Sequence, residues 1–158
     1  MKEGIALKKF QFPLDRMRSY KDQLLEEEIN VLAQLRHAMH EIEAHIDKNE
    51  RDFEDISADM LCGQAEGITI QELRTFESKR DNIRRQLQQL YRDLDAARKE
   101  VYRQTEVVVA ASQEVEKLDK LKDKQKEEYR QYVAKAEEVE IDEFVMTKRF
   151  NEITLTEH

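Results

Sequence analysis

The sequence predicts an all-α fold, a long two-helix antiparallel coiled-coil hairpin with an overhanging C-terminal helix. Among its 158 residues are only three Gly and one Pro, while 39% are charged. That is too little turn chemistry for a fold of many short elements. Apolar residues also recur at alternating spacings of three and four through two long stretches, the narrow seam of a coiled coil. Between the stretches lie Gly63 and Gly67, where a chain can reverse.

The elements follow in order along a single coiled-coil domain, residues 1–158. Pro13 biases the residue before it toward extended geometry, so residues 1–13 read as an N-terminal arm and the first helix as 14–62. In that helix Leu25, Leu32, Met39, Ile46, Phe53 and Met60 hold one heptad position, and Leu35, Ile42 and Ile56 the position three residues later. Glu28 and Asn49 interrupt this seam. The glycines assign 63–69 to a tip loop. Thr69 and Glu72 then have capping-box spacing, which starts the second helix at about Ile70 and carries it to 150, with 151–158 as a tail.

The second seam is longer. Leu73, Leu87, Leu94, Val101, Val108, Val115, Tyr129 and Ala136 share one position. Phe76, Ile83, Leu90, Ala97, Ala111, Leu118, Tyr132, Val139 and Met146 share the other. A short loop makes the two helices antiparallel neighbours. Counted back from the turn, the first helix covers the second only to about residue 118, which leaves 120–150 either unpaired or met by the arm. Long helices draw their stability from a packed apolar face, so Tyr129, Tyr132, Val139 and Phe144 mark this end as a binding surface.

Charge and motif content narrow the function. The net charge of −8 is interspersed along the chain and disfavours nucleic acid as a partner. A lone cysteine, Cys62, permits no intrachain disulfide. No apolar run approaches the ~20 residues of a membrane span, and MKEGIALKKFQFPLDR lacks a signal-peptide core, so a cytoplasmic location is expected. Phosphate loops, nucleophile elbows and zinc-ligand pairs are missing. No catalytic residue, cofactor, metal or small-molecule substrate is therefore expected, and the chain reads as acting through other proteins.

Individual features fit that reading. His37 shares a helix face with His40 or Glu41, a spacing compatible with a metal but read here as solvated surface. Cys62 reads as a passive loop thiol with no flanking base to activate it. Asp142 and Glu143 are adjacent on a helix and point apart, which rules them out as an acid-base pair. The lysine-rich stretch 116–128 is open to two readings, a solvated coiled-coil face or a basic band steering toward an acidic partner. Lys2, Lys8, Lys9, Arg16 and Arg18 of the N-terminal region can join the same end.

Three segments carry a resemblance: Phe10-Gln11-Phe12-Pro13-Leu14-Asp15-Arg16, Glu66-Gly67-Ile68-Thr69-Ile70, and the ending from Glu114-Val115-Glu116-Lys117-Leu118 through Ile141-Asp142-Glu143-Phe144. With these the chain resembles the FliJ family of flagellar type III export proteins, related to the stalk proteins of injectisomes. The resemblance implies an antiparallel coiled coil similar to the gamma stalk of rotary ATPases, seated in the pore of the hexameric flagellar export ATPase. It further implies a non-enzymatic factor of flagellum biogenesis, motility and chemotaxis that promotes ATPase ring assembly, bridges the ring to the membrane export gate protein and helps recycle export chaperones. Its implied place is the cytoplasmic face of the plasma membrane at the flagellar base, as a peripheral protein that is a monomer when free.

Carried onto this sequence, the resemblance assigns ATPase contact to Lys117, Lys120, Lys122, Lys124 and Arg130. It places export-gate contact shortly after the tip, where Lys79, Ile83, Gln86 and Leu90 follow one another at helical spacing and Ile83 has the apolar character expected there. Ile83 and Leu90 are also seam residues, so the two assignments compete. An injectisome stalk and a general self-associating scaffold are the rival readings.

Overall fold

A computed structural model describes residues 9–156, which form two helices, α1 (Asp15–Glu66) and α2 (Ile70–Thr156), packed against each other as an antiparallel hairpin. The arm ends in a turn at Pro13 and Leu14, where the Asp15 amide donates to the Phe12 carbonyl at 3.2 Å and the Arg18 amide to Leu14 at 2.8 Å. Asp15 places its carboxylate in the first turn of α1, where the helix dipole favours a negative charge.

The tip is shorter than the 63–69 loop read from the glycines. Helix α1 continues through Gly63 to Glu66, and only residues 67–69 leave helical geometry. The two glycines serve different ends. A Cβ on Gly63 would come within 2.9 Å of the Ile68 side chain, so this position is kept small by the chain folding back across it. Gly67 has φ +90°, the left-handed residue that stops the helix. The capping box forms as expected: the Thr69 amide donates to Glu72 Oε2 at 3.1 Å, and the Glu72 amide to Thr69 Oγ1 at 3.2 Å. At its far end α2 runs past 150 to Thr156, since no Gly or Pro stops it.

Residues 24–111 form one compact unit around the tip. Its core is a line of seam residues, with Leu32 and Ile46 of α1 and Ile83 and Leu94 of α2 buried. Among the described residues no side chain is completely enclosed, because each helix of a pair meets only one neighbour. One pair of polar seam positions is matched in register. The Gln104 side chain donates to both the carboxylate and the carbonyl of Glu28, so two heptad gaps face each other. Nearer the tip, Arg80 occupies another gap, with its guanidinium 5.0 Å from the centre of the Phe53 ring and that of Arg84 5.3 Å away. Asn49, the other interruption in α1, donates back to the His45 carbonyl at 2.9 Å. Tyr91 donates to Glu50, and this bond holds the phenol in its protonated form, above its usual pKa.

The described residues 9–23 and 112–156 belong to the second unit. Phe12 and Val115 are buried in it, Phe10 stacks at a 44° tilt on Tyr129 with centroids 5.7 Å apart, and Lys122 pairs with Asp15 at 3.4 Å. The arm therefore meets the overhang, extending cover on α2 from the expected limit near 118 to Tyr129. Beyond Ala136 every described residue of α2 is exposed.

Two outcomes test this account. Gly67→Ala places a Cβ in open space, so its cost is backbone strain alone, and urea denaturation should show a loss of about 1–2 kcal/mol. Gln104→Leu strands the Glu28 carboxylate and should cost about 1–2 kcal/mol in the same measurement, whereas Glu28→Leu combined with Gln104→Leu should recover that loss or exceed wild type.

Candidate partner-binding surfaces

The end bearing both described termini is held by a polar clamp around a small apolar contact. Arg18 Nε donates to Asp119 Oδ1, and the side chains remain 32% and 43% exposed. That bond, reinforced by the opposite charge, holds the Asp119 carboxyl below its usual pKa and raises that of Arg18. Lys122 adds a weaker pull on Asp119 while it pairs with Asp15. Phe10 and Phe12 close the apolar side. Sequence reasoning missed Asp15 and Asp119 as parts of this clamp. The legible signal was the Phe-x-Phe pair immediately before Pro13.

The five basic residues assigned to ATPase contact do not form one uncompensated patch. Lys117 pairs with Glu114 at 3.4 Å, Lys120 with Glu116 at 3.5 Å and Arg130 with Glu127 at 3.7 Å, all along the exposed surface of α2. Such intrahelical pairs contribute only a few tenths of a kcal/mol, so a partner carboxylate can replace the internal one at small cost. Lys122 differs: its side chain is 38% exposed and tied across to α1, where it secures the clamp. Lys124 is exposed and has no ion pair among the described residues. Lys9 and Arg16 are exposed at the same end, while Lys2 and Lys8 lie outside the described residues.

Near the tip the competition over Ile83 resolves toward the seam. Its side chain is 9% exposed and packs inside the hairpin, which leaves Lys79 and Gln86 as the solvent-facing positions beside it. Leu90, half-buried, floors a shallow depression with His45, Asn49, Gln86 and Gln89. The histidines do not converge: His37 lies 3.3 Å from Glu41 and His40 3.2 Å from Glu43, as separate surface pairs. Among the described residues no His, Cys, Asp and Glu cluster is arranged to hold a metal. Cys62 is exposed near the C-terminal end of α1 rather than in a loop. None of the described helices is long and apolar enough to cross a membrane.

A thin-cored pair of antiparallel helices, with polar groups engaged in the seam and in capping, belongs to the class of all-α helical hairpins. Residues 10–152 match the family described as flagellar FliJ protein, and the chain belongs to that family, which makes it a component of flagellar export. No curated protein and no solved structure matches it significantly.

The clamp predicts a pH dependence with a definite sign. A carboxyl whose pKa is lowered by folding stabilises the folded state above its unfolded value, ~3.9, and loses that contribution as pH falls through the folded value. Between pH 5 and pH 3 the urea midpoint of the wild type should therefore fall further than that of Asp119→Asn, the difference isolating this pair from the other carboxylates.

Proposed function

We propose that the chain is a non-enzymatic stalk of the flagellar export apparatus, which inserts the end bearing its termini into the hexameric export ATPase, promotes assembly and activity of that ring, and links it to the export gate and export chaperones. The observation that carries the reading is the conjunction of family membership over residues 10–152 with a helical end that leaves Tyr132, Val139 and Phe144 more than half exposed. A ring pore lined with protein would bury such side chains from all sides, which one flanking helix cannot do. Lys117, Lys120, Lys124 and Arg130 serve this docking by exchanging their own carboxylates for those of the ATPase. Lys122 takes part indirectly by fixing α1 against α2.

Gate contact, on this reading, uses the surface formed by Lys79 and Gln86, with Ile83 beneath it maintaining the helix spacing. The work is done by ATP turnover in the ring, and the hairpin supplies shape. An injectisome stalk shares this architecture, but membership of the flagellar family favours the flagellar machine.

The test is ATP hydrolysis by the cognate export ATPase across a titration of this protein. Wild type should stimulate turnover severalfold, and Lys117→Glu with Lys120→Glu should shift half-maximal stimulation to ~tenfold higher concentration, as expected for losing about 1.4 kcal/mol of charge pairing. Urea denaturation of the same variant should stay close to wild type, because the pairs it breaks are exposed. No stimulation by the wild type would instead support the self-associating scaffold.

A further inference from the structure

Near the tip, Arg80 occupies the heptad position of α2 that Leu73 and Leu87 hold one repeat to either side. Its Nη1 donates to the Met60 sulfur at 3.6 Å, and its guanidinium lies over the Phe53 ring, 5.0 Å from the centre. Neither neighbour is a strong acceptor: a thioether accepts weakly, and a ring face offers only its quadrupole. Arg80 Nε is buried and has no hydrogen-bond partner among the described residues. A half-buried cation is therefore held against two soft neighbours at a position where leucine would leave no donor unsatisfied.

We propose that Met60 is a modification site: hydrogen peroxide oxidises its thioether to the sulfoxide, and the new oxygen accepts a hydrogen bond from the Arg80 guanidinium. A sulfur lone pair attacks one peroxide oxygen, the O–O bond breaks, and the departing hydroxide takes up the proton of the transferred oxygen and leaves as water. Sulfur is oxidised by two electrons and the peroxide is reduced by the same two. The oxygen is bonded to the atom that Nη1 already approaches, so it falls within the guanidinium's reach.

Methionine oxidation ordinarily loosens a packed site, because it makes an apolar side chain polar. Met60 differs in being half-buried against an under-satisfied cation. A charge-assisted hydrogen bond from Arg80 on α2 to the sulfoxide on α1 ties the two helices more firmly than the thioether contact does. The tip thus tightens on oxidation and relaxes when a sulfoxide reductase restores the thioether. Cys62 is exposed two residues along, and Met17 and Met146 are 50% and 70% exposed, so the same reagent reaches them and the test removes them.

This brace does not depend on the ATPase or gate readings and is tested on the isolated full chain. The background is Cys62→Ser with Met17→Leu, Met39→Leu and Met146→Leu, which leaves Met1 and Met60 as the methionines. Peptide mapping after mild peroxide treatment should find Met60 as the sulfoxide. Amide hydrogen exchange in residues 57–80 should then slow ~threefold or more, with residues 90–104 as the internal control. Arg80→Leu in the same background should reverse the sign, so that oxidation speeds exchange there. Oxidation that has the same effect with and without Arg80, or none, would overturn the proposal. So would a Met60 that stays unoxidised after peroxide fully converts the exposed Met17 of the chain that keeps all its methionines.

Discussion

Neither helix can bury its apolar stripe alone, and the antiparallel seam between α1 and α2 is the only place where both stripes leave water together. Leu32 and Ile46 on one side, Ile83 and Leu94 on the other, are buried because each finds the opposite helix at the same level. Capping, register and the clamp near the termini all serve that alignment. Apolar residues recur at the same heptad positions along both helices, so apolar matching alone is a weak guide to register. Glu28 and Gln104 supply the discrimination, since a shifted pairing would break the hydrogen bonds between them.

The thinness of this core has a functional side. A two-helix hairpin has no interior, so its side chains are either in the seam or available to a partner, and little lies between. Ile83 shows the consequence: a residue suited by its character to an intermolecular contact is taken up by the fold, and the neighbouring Lys79 and Gln86 are what the surface offers. At the other end the reverse holds. Tyr132 and Val139 have seam character but are more than half exposed.

Much of this was legible in the sequence because it depends on periodicity and on a few local rules. The heptad positions, the antiparallel turn and the Thr69–Glu72 capping box are properties of residues close together in the chain. The two glycines were separable only in three dimensions. Gly67 acts through its own backbone, as local reasoning expects, but Gly63 is small because Ile68 and Phe76 come back against it. Whether 120–150 stays unpaired or is met by the arm was likewise open in the sequence. Helix lengths counted from the tip set a limit near residue 118, and the arm carries the contact on to Tyr129 by packing without helical geometry.

The sequence by itself determined that two long helices would pair antiparallel, since a seam pattern and a short turn admit few other solutions. Tertiary structure decided which charges remain available. Lys117, Lys120, Lys122 and Arg130 look equivalent in a lysine-rich run, yet Lys122 is bound to Asp15 across the hairpin while the others hold exposed partners on their own helix. Arg18 and Asp119 are a hundred residues apart and meet only because the chain turns at Gly67. Periodicity fixes which face of a helix is buried, but pairwise electrostatics depend on distances across the seam, which exist only once both helices are in place.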